Sequence, residues 1–324
     1  MRILLVTPTA STRQSGNAIT ARRWSKLFRE LGHTTRIAAE YTTQGCDVLV
    51  ALHAWKSAAS VRRFRELRPR SPLILALTGT DLYQDIPNHA VARQSLELAS
   101  RLVLLQVHGL TELPNRLAHK ARVIYQSAEA PQRKPAALKT CFEVSVVGHL
   151  RAVKDPFRTA LAVRRLPADS RIRVFHYGRA LQESMEQRAA AEMRRNPRYE
   201  WLGELPHGQV QRRIARSRLL VQTSQVEGGA NSIGEALASG TPVLSSRISG
   251  SLGILGDSYP GYFSYKDTQG LADLLQRAEG DSTFYRQLEV WCQQRSSLID
   301  PARERKAWED LLGEFLWEAC QGPS

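Results

Sequence analysis

The chain has 324 residues and is 42% hydrophobic, with 45 Lys+Arg against 31 Asp+Glu for a formal charge of +14. At about 100–200 residues per domain this implies two domains, each with its own core, and the composition excludes wholesale disorder. No apolar run reaches the ~18 residues of a membrane-spanning helix. Ile3-Leu4-Leu5-Val6 is too short for a signal peptide and runs into Thr7-Pro8-Thr9, and Cys46, Cys141, Cys292 and Cys320 are too scattered for a zinc site or a disulfide framework. A soluble, cytoplasmic protein is expected.

In chain order, Arg2–Thr7 reads as a buried strand. Gly16-Asn17 falls in a polar loop before a helix whose Ile19, Trp24, Leu27 and Leu31 recur at helical spacing. Thr34–Ala39, Asp47–Leu52, Pro72–Thr78, Arg101–Val107 and Ala121–Tyr125 read as further strands. Between them, Ser57–Arg68 is a helix with Val61, Phe64 and Leu67 on one face. Strands alternating with helices imply a mostly parallel sheet covered on both faces.

Ser127–Thr140, with its prolines, alanines and isolated basic residues, reads as a linker. A second series follows through Phe142–Val147, Ile172–Tyr177, Tyr199–Leu202, Leu219–Thr223 and Pro242–Ser245. Pro301–Ala319 closes the chain as a helix with Trp308, Leu311, Leu312, Phe315 and Leu316 on its apolar face. The expected class is α/β, with Rossmann-like domains at 1–134 and 135–301 and ligands bound in a cleft at the carboxyl ends of the strands.

Charge divides unevenly by half. Residues 1–140 hold 21 Lys+Arg and 9 Asp+Glu, and residues 141–324 hold 24 and 22. A basic first half suits nucleic acid, a membrane surface or a small anion. Nucleic acid lacks support, because there is no zinc-finger, KH or RNP signature and no aromatic residues alternate with the basic runs. Arg62, Arg63, Arg65, Arg68 and Arg70 suit an anionic membrane, although Val61, Phe64 and Leu67 are better explained as the packed side of the same helix.

Two stretches carry chemistry. Glu227-Gly228-Gly229-Ala230-Asn231 and on to Glu235 form a small-residue loop that follows a strand and opens a helix, with Glu235 expected in its first turn. Backbone N–H groups at such a junction favour an anion, and the two carboxylates suit sugar hydroxyls. A glycine-rich turn with a favourable helix charge is the plainer alternative. The second stretch, Gly148-His149-Leu150-Arg151-Ala152-Val153-Lys154-Asp155-Pro156, puts cations after a buried strand, as a diphosphate site or simply an exposed basic turn.

With these motifs the sequence resembles glycosyltransferase family four, the retaining sugar transferases of the GT-B fold, over essentially the whole chain. The family's Glu-seven-residues-Glu pattern falls on Glu227 and Glu235, its phosphate lysine on Lys154, and its first glycine-rich loop on Gly16. The arginine expected directly after Gly148 is His149, with Arg151 two residues on. The resemblance implies two Rossmann-like domains facing each other across a cleft, with a helix at 302–324 packing back on the first. It implies a UDP-sugar donor, UDP-GlcNAc or UDP-glucose, and no metal or other cofactor. Lys154 and Arg151 would bind the diphosphate, and Glu235 the ribose. Glu227 with Gly228, Gly229, Ala230 and Asn231 would hold the transferred sugar.

The strand ending in His53 matches the family's catalytic histidine, though a buried histidine is also commonly structural. Arg13, Asn17, Lys56, Thr80 and Asp81 are the implied acceptor-side residues, Asp81 being equally suited to a helix cap. The wording of Thr7–Asn17, Thr78–Tyr83, Gly148–Pro156 and Glu227–Asn231 is similar to a subgroup, the selenosugar synthases of selenoneine biosynthesis. That implies selenophosphate as acceptor, a carbon–selenium bond, release of UDP and phosphate, and pathway enzymes that supply selenophosphate. No stable membrane insertion is expected, and the rival is a lipid or carbohydrate acceptor at a membrane.

Overall fold

The structure, a computed structural model, describes residues 1–8 and 16–320, and for 318–320 the backbone alone. The chain divides into two compact units, 1–126 with 302–324, and 127–301. Residues 127–134 thus group with the second unit, not with the first.

The first unit runs β1 (Arg2–Val6), α1 (Gly16–Glu30), β2 (Thr34–Ala38), β3 (Val48–Leu52), α2 (Ala58–Leu67), β4 (Leu73–Leu77), α3 (Ile86–Asn88), α4 (Ala90–Leu98), β5 (Arg101–Leu104) and β6 (Ala121–Val123). Its sheet is parallel throughout, in the order β2-β1-β3-β4-β5-β6. Every residue of β3 and β4 is buried, as strands covered on both faces require. Side chains alternate between two cores: Leu4, Val6, Leu49 and Ala51 pack with Val61 and Phe64, while Ile3, Leu5, Val48 and Val50 pack with Trp24 and Phe28.

The second unit runs β7 (Phe142–Val147), α5 (Arg158–Val163), β8 (Ile172–Tyr177), α6 (Glu183–Arg195), β9 (Tyr199–Trp201), α7 (His207–Arg216), β10 (Leu219–Gln222), α8 (Asn231–Ser239), β11 (Val243–Ser246), α9 (Ser249–Leu255), β12 (Tyr262–Phe263), α10 (Thr268–Gly280) and α11 (Ser282–Arg295). This sheet is also parallel, in the order β12-β11-β10-β7-β8-β9. Then α12 (Pro301–Cys320) returns to the first unit. Its Trp308 packs edge-on against Trp24 and Phe28, with ring centroids 4.7 and 4.9 Å away. The Glu304 side chain, wholly buried, accepts the Trp24 indole N–H at 2.8 Å and pairs with Arg23.

Three expectations change. Gly16 and Asn17 lie in the first turn of α1 rather than in a loop before it. Leu67 and Leu316 are exposed, at 54% and 53%. At ~100° per residue, Leu67 lies about 120° round the helix from Val61, and Leu316 about 80° from Trp308, outside Leu312. The charge imbalance also shrinks. Counted by unit, the first holds 21 Lys+Arg to 13 Asp+Glu and the second 24 to 18, a net +8 and +6. Glu304, Glu309, Asp310, Glu314 and Glu318 return to the first unit on α12, and the basic residues of 127–140 go to the second. No helix among the described residues is long and apolar enough to cross a membrane.

Candidate functional site

In the second unit two loops meet at the carboxyl ends of the neighbouring strands β7 and β10. The basic loop leaves β7 at Gly148, is anchored by buried Leu150, and makes one tight turn over Ala152–Lys154. Asp155 ends that turn in the left-handed region, at φ 42°. The second loop is stitched to it. Gln225 N–H donates to Val153 O at 2.8 Å, and the Thr223 hydroxyl donates to Lys154 O and Asp155 O at 2.8 and 3.0 Å.

This stitching brings Lys154 against Glu227, 73 residues apart in sequence. Glu227 Oε1 accepts from the Lys154 ammonium, from Ser224 Oγ at 2.6 Å and from Gln222 Nε2 at 2.7 Å. Among the described residues no hydrogen-bond donor meets Oε2. The two side chains keep 21% and 12% exposure, so they form a partly open ion pair. Arg151 is exposed just before the turn.

Gly228, Gly229 and Ala230 lead into α8, where Ala230 O accepts the N–H groups of Ile233 and Gly234. The N–H groups at the start of such a helix have no partner within it, and they favour an anion. Asn231, its first residue, has a buried Oδ1 without a hydrogen-bond partner among the described residues. Glu235 is in the second turn of α8, not the first, because the helix already starts at Asn231. Its Oε1 accepts from His207 Nε2 at 2.6 Å.

His207, the first residue of α7, was not legible as a site residue. The signal was Pro206-His207, which opens a helix after β9. Gly250 in α9 is another such residue. A Cβ there would stand 2.2 Å from Glu227 O, so the glycine is what lets α9 support the Glu227 peptide.

In the first unit, His53 leaves β3 in the left-handed region at φ 81° and is buried. Its Nδ1 accepts from Lys56 N–H at 3.3 Å, while Nε2 lies 3.3 Å from Thr80 Oγ1 and 3.6 Å from Asp85 Oδ2. Burial holds its pKa below the ordinary value; the Lys56 charge adds to this, and Asp81 and Asp85 oppose it. Thr80 therefore sits with His53, whereas Asp81 is engaged by backbone N–H groups. Its carboxylate is fully buried and takes the N–H groups of Thr78, Gly79 and Ala54 at 2.8–3.2 Å. Asp81 shapes the two strand-end loops.

Asp85 and Trp55 were missed by the sequence reading. Trp55 is exposed and stacks on His89 with centroids 4.6 Å apart. Lys56 is exposed, and Asn17 is half-buried in α1. Among the described residues, a Cβ on Gly16 would touch nothing within 4 Å. Arg13 lies outside the described residues.

Two six-stranded parallel sheets, each with helices, define the GT-B fold. The family described as "Glycosyl transferases group 1" matches residues 129–294, just over half of the chain, and the chain belongs to that family. Among solved structures it is similar to Alr3699/HepE from Anabaena in complex with UDP and glucose. They share 15% identity over 97% of this chain and 100% of that one, at TM-score 0.77. It is similar to sucrose-phosphate synthase from Thermosynechococcus elongatus, at 14% identity, 98% and 100% coverage and TM-score 0.79. It is also similar to α,α-trehalose 6-phosphate synthase from Burkholderia multivorans, at 14% identity, 86% and 72% coverage and TM-score 0.69. No curated protein sequence matches the chain.

Proposed function

We propose that the protein transfers a sugar from a UDP-sugar to selenophosphate, with retention at the anomeric carbon and without a metal. The donor half of this reading rests on one observation, the convergence of Lys154, Glu227 and the start of α8 at the carboxyl ends of β7 and β10. UDP accompanies glucose in the Anabaena structure. Lys154, with Arg151, neutralises the charge that grows on the departing diphosphate, a place where fixed cations are most effective. Glu227 offers Oε2 to a sugar hydroxyl, and Glu235 takes the ribose diol. For His53 the proposal is a group required for turnover, placed by Thr80 and Asp85.

The acceptor half rests on the wording of Gly148–Pro156 and Thr78–Tyr83, which is similar to the selenosugar synthases. The selenium lone pair attacks the anomeric carbon as its bond to the UDP oxygen breaks, and hydrolysis of the P–Se bond then releases phosphate. Selenophosphate is already a nucleophilic anion, so positioning replaces a strong general base. Against a membrane-bound acceptor, three arginines of the α2 run are engaged internally. Arg63 holds Thr42 O, Arg65 holds Leu98 O, Pro69 O and Ser71 O, and Arg68 holds Cys46 O.

The test is incubation with UDP-glucose or UDP-GlcNAc and fresh selenophosphate, followed by mass spectrometry. A selenium-containing hexose with UDP is expected. Transfer to a lipid or sugar acceptor alone would overturn the selenophosphate assignment and leave the donor assignment standing.

A further inference from the structure

Behind the basic loop lies a buried polar pair that neither the family assignment nor the proposed reaction uses. His176 in β8 stands beside β7, and its ring is buried together with that of Tyr199 in β9. His176 Nε2 is 2.9 Å from Gly148 O, and Nδ1 is 3.0 Å from the Tyr199 hydroxyl. A carbonyl only accepts, so Nε2 carries the proton. The neutral ring then accepts at Nδ1, and Tyr199 donates. Both hydrogen bonds run one way, from Tyr199 through His176 to the carbonyl that opens the basic loop.

Gly178 packs closely on the same peptide. A Cβ on Gly178 would lie 2.0 Å from Gly148 O, and Gly178 O accepts the Trp201 indole N–H at 2.7 Å. Because a trans peptide sets C=O and N–H on opposite sides, fixing the Gly148 carbonyl inward turns the His149 N–H to the opposite side.

We propose that Tyr199 and His176 are positioning residues that hold the Gly148–Lys154 loop in the shape that receives the diphosphate of a nucleotide. This rests on the reading of that loop as the diphosphate site. The pair touches no ligand and acts through the Gly148 carbonyl.

The test compares UDP with uridine, followed by NMR titration, in wild type, His176→Leu, His176→Gln and Tyr199→Phe. His176→Leu is expected to weaken UDP at least tenfold and leave uridine unchanged. His176→Gln, which keeps an N–H donor, is expected to restore most of the UDP affinity. Tyr199→Phe is nearly isosteric and carries the test if His176→Leu does not fold. It is expected to weaken UDP about threefold and to shift the imidazole ¹⁵N signal of Nδ1. Equal losses for UDP and uridine, or UDP affinities within twofold of wild type, would overturn the proposal alone. A wild-type protein that binds no UDP would overturn the functional reading and this inference together.

Discussion

Acid should unfold the second unit partly through His176. In the native state the ring is fully buried, and its pKa is pushed down to about 4 chiefly by that burial. The His149 charge adds to the shift, and the bond to Gly148 O opposes it. An unfolded histidine titrates near ~6.5, so the lowered native value corresponds to roughly 3 kcal/mol. The folded pKa is depressed, so the unfolded state binds the proton first as pH falls. This contribution is therefore complete above pH ~6.5, declines through the window below it and is gone near pH ~4. Between pH 7 and 5 the expected loss is about 2 kcal/mol. Native-state exchange of the β7 and β8 amides, measured across that range, reads the second unit by itself. His176→Gln cannot titrate and should lack this share of the pH dependence. Parallel pH profiles for the two proteins would refute a neutral, desolvated His176.

Gly250→Ala forces the Glu227 peptide to move, since the new methyl would stand 2.2 Å from its carbonyl oxygen. At least a tenfold loss of kcat/KM is expected with little change in melting temperature, and steady-state kinetics at wild-type values would count against this support. Lys154→Ala removes the cation proposed to meet the diphosphate and the counter-ion of Glu227. Turnover should fall by about 10²–10³, as for loss of one preorganised charge partner. Trp308→Ala removes the edge contacts to Trp24 and Phe28 and should cost the first unit about 3–5 kcal/mol in urea unfolding. A cost under about 1 kcal/mol would show that α12 is not part of that core.

The fold was legible where burial is symmetric. Val48–Leu52 and Leu73–Leu77 are unbroken apolar runs because both faces of the central strands are covered. Helix faces were legible only near their centres, since Leu67 and Leu316 satisfy the spacing but have rotated off the core. In the site, the order of Lys154, Glu227 and Glu235 could be read as a pattern, but their partners could not. Gln222 and Ser224 look like ordinary strand-end residues until three donors converge on one carboxylate oxygen. Asp81 carried a plausible ligand-binding label because an acid after a strand is exposed more often than buried. Only the fold reveals three backbone N–H groups turned toward it. Gly178 and Gly250 matter through contacts with peptides distant in sequence, so nothing local marks them.

Net charge illustrates the same limit. The excess of +14 implies an anionic ligand only if the cations are free to meet one, and many are not. Arg198 donates to the carbonyls of Val163, Leu166, Pro167, Ala168 and Ser170, closing the turn after α5. Arg216 makes a two-pronged pair with buried Glu143, and Arg164 and Arg195 share buried Glu192. These guanidiniums act as internal hydrogen-bond donors, a use that the five N–H groups of arginine favour over lysine. A near-even split of +8 and +6 between the units further removes any electrostatic reason to place an anionic acceptor on the first. What distinguishes the candidate site is local. A lysine with one carboxylate oxygen for a partner stands beside a helix start and an exposed arginine, on a loop held from behind by neutral, fully bonded groups. On the reading proposed above, such a site would select a diphosphate by the geometry of a few donors, at any net charge of the chain.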